Sequence, residues 1–457
     1  MGDCRSELDV CRRGVGTGGV REVVLMALPL AAMAAASAVN ALADKLFLSW
    51  HSDAAVQAIV PTASLAGTLG CLLTATVGYV SALVANAHGR GDAAGERAAF
   101  AQSVYLSLAF LPAFALFHPL GTAIICAAGH APEVASEELV ALPWLLAASA
   151  ARMPSAALAG YFTGIGRTGV VGAAGIVGAV LNVALDMVLI FGLGCIPELG
   201  IAGAAIASFV SSLAELSVMA AVALRAFRIA PVNGVFGIDP GLLGKLLRLG
   251  VPHGVMSLFC GVAFTAFVMA TGRCGAMELA ASNIAFGVNS VFFLSVSALR
   301  DVATALVARL LGGGDDDGAR RAVRSTLAVV SVCAAVFSVA ALACAGLASR
   351  LFIGEASAFD ESAFAGTLLA VFAVMCVRAF SEGFSETYAA ALRGAGKTSY
   401  ILSVRVVCVL VVWMPLVAVS LAWGASIVSL WATMPVYLLV AGFILRRRWQ
   451  VLSFGIR

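Results

Sequence analysis

The chain has 457 residues, of which 61% are hydrophobic and only 12% are charged, and its mean hydropathy is +1.01. A soluble domain carries about 25% charged residues, so this composition excludes a soluble globular protein. The net charge of +3 is small, and we expect no nucleic-acid partner. The eleven cysteines form no CxxC pair and are odd in number, which argues against a disulfide framework or a zinc site.

Apolar segments along the chain predict twelve transmembrane helices. About 20 apolar residues cross a bilayer, and in lipid only helices or closed barrels satisfy their backbone groups. The long unbroken runs favour helices, so we expect an all-α membrane protein. We place the spans at 22–48, 55–86, 98–127, 138–163, 169–194, 199–227, 245–271, 279–309, 322–348, 362–392, 398–421 and 425–445.

Basic residues set the expected orientation. With the N-terminus in the cytoplasm, 21 of the 28 Lys and Arg residues fall in cytoplasmic segments. Only Lys45, Arg273 and Arg350 fall on the opposite side, and the remaining four lie inside spans. Because cytoplasmic loops are enriched in Lys and Arg, both termini are expected in the cytoplasm of a multi-pass protein of the inner or plasma membrane.

The chain also repeats itself. The string Ala82–Ala85, followed by Gly89, Gly91 and Asp92, recurs 223 residues later at Ala305–Ala308 and its following Gly, Gly and Asp. Pro29 maps onto Pro252 at the same offset. The repeat predicts two pseudo-symmetric six-helix lobes in the same membrane orientation, with binding expected between or within them near the midplane.

The repeat also gives expected boundaries for the parts of the chain. We predict a cytoplasmic tail at 1–20, a first lobe at 21–230, a second lobe at 244–445 and a basic cytoplasmic tail at 446–457. The linker between the lobes is placed at 231–243, because Ala230–Pro240 contains two Pro and two Gly residues that do not continue a helix.

Two polar pairs stand out inside the spans of the first lobe. Asn40 and Asp44 lie four residues apart in the first span. Asn182 and Asp186 repeat that spacing in the fifth. Residues four apart share a helix face, and a carboxylate at the bilayer centre costs on the order of 2.5–3.5 kcal/mol. Two carboxylates with amide oxygens suit a hard cation, and if they lie close together one of them would carry a proton. For Asp44, next to Lys45, simple hydration near a helix end is the alternative.

The two lobes differ at these positions. The residues equivalent to Asp44 and Asp186 in the second lobe are Phe267 and Leu416. Packing alone would not require carboxylates in one lobe only. The asymmetry therefore favours an ion site confined to the first lobe.

The second lobe has its own polar cluster, formed by Arg378, Glu382 and Glu386 in the tenth span. Arg378 and Glu382 are four residues apart and can pair with each other, and a cavity-lining role is the alternative. Both interpretations stay open from the sequence. Arg152 in the fourth span is expected either to be paired or to face a cavity.

Short strings that look like nucleotide-binding motifs lack the surrounding residues and secondary structure that such motifs require. GxGxxG strings begin at Gly14 and Gly164, but neither follows a strand. The string Gly396-Lys397-Thr398 lacks the earlier glycine of a phosphate loop, because residue 391 is Ala. We therefore expect no cofactor and no enzyme, and any pumping has to draw on an ion gradient.

These residues resemble the multidrug and toxic compound extrusion (MATE) family of transporters, particularly its DinF-like branch. The resemblance covers nearly the whole chain, from Leu28-Pro29 to Leu392–Thr398. The stretches 40–44, 181–186 and 203–208 look like the first, fifth and sixth helix motifs of that branch.

The resemblance implies roles for particular residues. Asp44, Asn182, Asp186 and Ser208 would form a proton or sodium site in the first lobe, with Ser208 at a position where Thr is common. Asn40 would border the drug cavity.

The chain also departs from the family patterns. Cys260 stands where the NorM-like branch has a Glu, whereas Glu382 corresponds to that branch's acidic position in the tenth helix. We expect Glu382 and Glu386 to line the substrate cavity, and the coupling ion stays open between proton and sodium.

The predicted function is export of small organic compounds, cationic or amphipathic, by alternating access coupled to proton or sodium uptake. The expected partners are a small-molecule substrate and the lipid bilayer, and a monomer is expected. One alternative is a lipid-linked saccharide flippase of the same superfamily, which would commonly have fourteen spans. A membrane-embedded enzyme is the alternative from another class, and the sequence offers no catalytic constellation for it.

Overall fold

The computed structural model describes residues 18–192, 197–229, 237–272, 274–352, 361–424 and 426–452. Its regular elements are fifteen α-helices and one π-helical turn, Val409–Trp413. In chain order the helices are α1 (Val20–His51), α2 (Asp53–Gly78), α3 (Val80–Gly89), α4 (Ala93–Phe110), α5 (Ala113–Ala128), α6 (Pro132–Gly164), α7 (Thr168–Phe191), α8 (Gly200–Ile229), α9 (Pro240–Thr271), α10 (Ala276–Gly312), α11 (Asp316–Phe352), α12 (Glu361–Gly394), α13 (Thr398–Cys408), α14 (Met414–Ala422) and α15 (Ile427–Val451).

Eleven helical segments are long and apolar enough to cross a membrane, or twelve if the bent pair α4 and α5 forms one span. The predicted all-α membrane fold is therefore confirmed. The predicted third span, 98–127, corresponds to that pair, whose axes differ by 46°. The bend falls at Leu111-Pro112, where the proline cannot donate a backbone hydrogen bond.

Contacts divide the chain into two compact units. The first unit comprises Pro29–His88 and Asp92–Gly261. The second comprises the described residues up to Leu28, Gly89–Gly91 and the described residues from Val262 onward. This division assigns the start of α1 to the second unit and most of α9 to the first. The boundaries of the two predicted lobes come from the sequence repeat instead, and they stay a prediction.

The repeated motifs have the same local structure in both halves. Gly91 and Gly314 both adopt a left-handed backbone, with φ of 71° and 77°. The next residue caps the following helix in each case. The Asp92 carboxylate accepts a hydrogen bond from the Gly95 amide at 2.8 Å, and Asp315 accepts one from Gly318 at 2.7 Å. The sequence repeat thus reflects repeated backbone geometry.

Part of the predicted linker lies outside the described residues, as do 1–17 and 453–457 in the predicted tails. Of the linker, Gly237–Asp239 are described and precede the first residue of α9, Pro240. The Gln102 side chain binds this segment twice. It donates to the Gly237 carbonyl at 2.8 Å and accepts from the Asp239 amide at 3.2 Å. A buried amide side chain therefore fixes the entry to α9.

Helix α1 packs closely on α7 because α7 presents glycine there. A Cβ atom on Gly172 would lie 2.7 Å from the carbonyl oxygen of Pro29, which is too close for any real side chain. Small residues let helix backbones approach in this way in membrane proteins. The contact holds the middle of α1 at short range from α7.

Gly172→Ala is expected to lower the melting temperature of the purified protein. Overpacking costs about 1–3 kcal/mol, and the helix propensity gained from removing glycine offsets about 0.5–1 kcal/mol of that. Gly169→Ala is the matched control on the same helix, since nothing lies within 4 Å of a Cβ there. Equal melting temperatures for the two variants would contradict the close packing of α1 on α7.

Candidate functional site

The predicted ion-site residues lie on two helices that are held together at both ends. Pro29 meets Gly172 at one end of the contact. At the other end the rings of Phe47 and Phe191 meet edge to face, with centroids 6.3 Å apart. Asp44 on α1 and Asp186 on α7 fall between these contacts along their helices.

The structure brings the Asp44 and Asp186 carboxyl groups together. They lie near enough for a side-chain hydrogen bond between them. Asp186 is fully buried, and neither of its oxygens has a hydrogen-bond donor; Oδ1 of Asp44 lacks one as well. Two ionised carboxylates can only accept hydrogen bonds, so a stable contact between them needs a shared proton or cation. Facing carboxylates of this kind suit the binding of a hard cation or a proton.

The two asparagines of the predicted pairs accompany the carboxylates. Asn40 precedes Asp44 by one helical turn, and Asn182 precedes Asp186 in the same way. The Asn40 Oδ1 and Asn182 Nδ2 atoms are buried without a hydrogen-bond partner among the described residues. Unpaired buried polar atoms are destabilising, so their persistence indicates a site that binds a ligand or water.

These residues border a cavity of about 490 Å³ inside the first unit. Asp186 is not part of the lining but lies next to Asp44, which is. The lining consists of apolar residues, small and large, and of a set of polar ones: Ser37, Asn40, Asp44, Ser149, Arg152, Ser155, Asn182, Ser208, Ser211, Ser212 and Glu215. The volume is within the range of about 300–1,000 Å³ that is typical of small-molecule sites.

Helix α8 contributes a polar face to this cavity. Ser208 lines it, and Ser212 and Glu215 follow at one and two helical turns. The role of Ser208 in a cation site stays a prediction. Glu215 was not among the residues predicted from the sequence. The signal that could have found it was the i, i+4, i+7 spacing, which places all three residues on one helix face.

Arg152 on α6 lines the same cavity. Its guanidinium interacts electrostatically with the carboxylates of Glu215 and Asp44. The interaction with Glu215 is the stronger of the two. Of the two sequence-based interpretations, paired or cavity-facing, the structure places Arg152 on the cavity wall.

The structure places Glu382 and Glu386 in buried ion pairs of the second unit. Arg378 lies 3.3 Å from Glu382 and also donates a hydrogen bond to Asn289. Arg405 donates to Glu386 at 2.5 Å. The pairing of Arg378 with Glu382 is thus present, and a substrate-cavity role for the two glutamates stays a prediction.

An aromatic cluster in the second unit includes Phe267, the residue equivalent to Asp44 of the predicted ion site. Phe267, the counterpart of Asp44, stacks on Trp413 at 5.6 Å and meets Trp431 edge to face at 6.0 Å. All three are almost completely buried. The indoles of Trp413 and Trp431 donate to Thr433 and Ser282. At the position equivalent to Asp44 the second unit therefore has a packed aromatic ring in place of a carboxylate.

Glu382→Gln is expected to slow efflux of cationic solutes while expression stays normal, if this carboxylate contacts the solute. The change removes one negative charge and keeps the side-chain shape. Initial efflux rates for several organic cations of different shape, measured beside the melting temperature, test it. A lower melting temperature with unchanged rates would limit Glu382 to its pairing with Arg378.

The fold and the site together define a polytopic all-α membrane protein with a charged cavity inside its helical bundle. A family model described as MatE matches residues 252–419. The probable multidrug resistance protein NorM of Rhizobium meliloti is 30% identical over 69% of this chain and 68% of its own length. Its counterpart in Bradyrhizobium diazoefficiens is 30% identical over 82% and 81%. A crystal structure of MATE in complex with MaD5 has the same fold, with a TM-score of 0.83 at 19% identity, over 96% of this chain and 98% of that one.

The chain belongs to the MATE family of transporters. The predictions of this family, and of a transporter in place of an enzyme, are confirmed. Eleven or twelve candidate spans among the described residues do not favour a fourteen-span flippase. These curated relatives carry the NorM name, so the DinF-like branch stays a prediction.

Proposed function

We propose that the chain is a proton- or sodium-coupled antiporter that exports small organic compounds, cationic or amphipathic, by alternating access. The observation that carries this proposal is the pair Asp44 and Asp186 beside the cavity. Asp186 is fully buried with no donor to either oxygen among the described residues, and the buried Oδ1 of the half-buried Asp44 has none either. The relatives from Rhizobium meliloti and Bradyrhizobium diazoefficiens are both named as probable multidrug resistance proteins, which supports export of foreign compounds.

The pair gives a physical route for coupling. Without a bound cation, the two carboxylates repel each other in a poorly hydrated place. A proton or a sodium ion removes that repulsion and draws α1 towards α7 at Asp44 and Asp186. Asn182 and Ser208 supply further oxygens for a sodium ion. Binding therefore favours one packing of α1 over another, and a ligand shifts a conformational equilibrium by its differential affinity for the two states.

The cavity supports a small organic solute. Its volume suits a drug-sized molecule, and three carboxylates against one guanidinium give the site a negative balance when all are ionised. Such a balance attracts cations. Asn40 would contact the solute directly from the cavity wall.

The test is transport by the purified protein in liposomes with an imposed proton gradient or an imposed sodium gradient. Ethidium efflux that depends on one gradient, and that stops when an ionophore collapses it, is the expected result. The gradient that drives efflux identifies the coupling ion. Facilitated movement that ignores both gradients would overturn the antiporter proposal.

We further propose that the protein lies in the inner or plasma membrane as a monomer, with both termini in the cytoplasm. The orientation is supported by the basic residues, because 21 of the 28 Lys and Arg residues fall on one side. A reporter fused after Arg457 that is active only in the cytoplasm should therefore be active. An inactive reporter on a correctly inserted protein would reverse the orientation.

A further inference from the structure

Two helices of the second unit, α11 and α15, each present an exposed stripe that changes from aliphatic or aromatic to basic. Both helices pack against α12. On α15 the exposed residues along one face are Val436, Val440, Phe443 and Arg447. On α11 they are Val339, Val336, Val332, Ala328, Arg324 and Arg321. Successive positions are three or four residues apart, so each stripe follows a single helix face.

The basic ends of the two stripes lie close together. Arg320, in the first turns of α11, donates a hydrogen bond at 3.4 Å to the carbonyl of Leu452, which directly follows α15. The guanidinium of Arg448, in the last turn of α15, lies over the Tyr400 ring of α13 at 5.5 Å. Lys397, at the start of α13, is exposed. The three helix ends thus form one basic surface, which consists of Arg320, Arg321, Arg324, Lys397, Arg446, Arg447 and Arg448.

The acids at these described helix ends do not balance the basic surface. They are Asp315, Asp316 and Asp317, all at the start of α11. The Asp315 carboxylate is engaged in capping α11, where it accepts a hydrogen bond from the Gly318 amide. Seven cations therefore stand beside three carboxylates, and the surface keeps a positive charge. Water alone can solvate exposed cations, so the stripes beside them have to show what else they meet.

The stripes match a molecule with apolar chains and an anionic head. In a bilayer, exposed side chains such as Phe443, with 56% of its surface accessible, contact acyl chains. Arg447 follows Phe443 by four residues, about 6 Å along the helix axis, which places its guanidinium where the chains end and the lipid phosphates begin. A guanidinium binds phosphate oxygens through two parallel N–H donors.

We propose that the basic surface and the two stripes form a binding site for an anionic phospholipid. The acyl chains lie along α11 and α15, and the phosphate binds the exposed arginines at their ends, Arg321, Arg324 and Arg447. Basic pockets between membrane-spanning helices are suited to such head groups. The site is separate from the cavity of the first unit, and the inference does not depend on the proposed transport.

Native mass spectrometry of the purified full-length protein, titrated with lipid, tests the proposal. Dioleoyl phosphatidylglycerol and dioleoyl phosphatidylcholine have the same acyl chains, but only the first has a net negative charge. Wild-type protein is expected to bind phosphatidylglycerol about 10-fold or more tightly than phosphatidylcholine, because each basic residue near an anionic lipid contributes about five-fold. The preference should decrease as salt is added, since the cations are exposed.

The variant Arg321→Gln/Arg324→Gln/Arg447→Gln removes three cations of the site. Its affinity for phosphatidylglycerol is expected to fall about 10- to 100-fold, and its affinity for phosphatidylcholine should not change. All three side chains are exposed, so the melting temperature without lipid should stay near that of the wild type. The corresponding triple lysine variant keeps the charge and should keep most of the binding.

A matched control removes the same charge from the first unit. Arg167, Arg225 and Arg228 are exposed and lie on the same predicted side of the membrane. Replacing all three with Gln should leave the affinity for phosphatidylglycerol as in the wild type. Inorganic phosphate supplies the anion without acyl chains, and at millimolar concentration it should not displace the lipid.

Four results would overturn the proposal. Equal wild-type affinity for the two lipids would show that charge is not recognised. Unchanged phosphatidylglycerol binding by the triple glutamine variant would exclude these arginines, and an equal loss in the first-unit control would show general attraction in place of a site. Displacement by inorganic phosphate would indicate a site for a free anion. If the triple glutamine variant fails to fold, Arg447→Gln alone decides, with an expected loss of about five-fold.

Discussion

Asp186→Asn is expected to reduce gradient-driven ethidium efflux to the rate of protein-free liposomes, while the protein still folds. Asn has nearly the shape of Asp but neither charge nor a titratable proton. Asp186 is fully buried next to Asp44, so replacing it leaves a single carboxylate with an amide partner. The repulsion that a coupling cation would relieve is then gone, and with it the energetic link between ion binding and the packing of α1 on α7.

Asp44→Asn should have the same effect, because the coupling belongs to the pair. The matched control is Asp301→Asn. Asp301 is also acidic and lies within a predicted span, but it is about half exposed and pairs with Arg300 in the second unit. Efflux by this control should stay near the wild-type rate. Melting temperatures and size-exclusion profiles of all three variants establish that lost transport is not lost folding.

If the Asp186→Asn protein still couples ethidium efflux to an ion gradient, the assignment of Asp44 and Asp186 as the coupling pair is wrong. Glu382 and Glu386 would then become the leading candidates for coupling, since they are the acidic side chains in the tenth predicted span that are enclosed by arginines. If ethidium instead crosses the membrane through the variant but does not respond to a gradient, the assignment is supported. Solute passage is then retained while coupling to the ion is lost.

The residues of the proposed ion site could be singled out from the sequence because each is unusual at its own position along the chain. A carboxylate such as Asp186 is costly in an apolar span, and the absence of an acid at Leu416 excludes a packing requirement shared by both lobes. The Asn-x-x-x-Asp spacing then fixes which helix face each pair occupies. The structure adds that α1 and α7 pack through Pro29 and Gly172, which brings the two faces together.

The cavity could not be predicted to the same depth. Arg152 and Glu215 lie on α6 and α8, 63 positions apart in sequence, and nothing local relates them. Whether a buried charge is paired depends on distances between helices, which periodicity does not encode. The same limit applies to Glu386, because its partner Arg405 lies on the next span, 19 residues along. Only the i, i+4 pair of Arg378 and Glu382 was accessible from the sequence.

Helix bends illustrate a third limit. Apolar length predicted one span over 98–127, and the chain divides there into α4 and α5. Pro112 marks the place, but Pro29 and Pro252 lie inside α1 and α9 without dividing them. A proline removes one hydrogen bond in every case, and the surrounding packing decides whether the helix bends or continues.

Arg405→Met is expected to destabilise the protein by about 3–5 kcal/mol, because removing one partner of a buried ion pair strands the other charge. Arg405 has 4% of its side chain exposed and Glu386 has 20%. Arg300 and Arg393 also stabilise the ionised Glu386, which places the expected loss towards the lower end of the range. The melting temperature of the purified protein in detergent should fall accordingly.

The double variant Arg405→Met/Glu386→Gln separates a stranded charge from lost packing. With both charges removed, no uncompensated carboxylate stays buried, so the double variant should melt closer to the wild type than Arg405→Met does. A double variant that melts below both single variants would contradict this account and would show that each side chain stabilises the helices through contacts of its own. If the double variant is stable yet slow in efflux, Glu386 acts on the solute as well as on Arg405, which is the role that the sequence predicted for it.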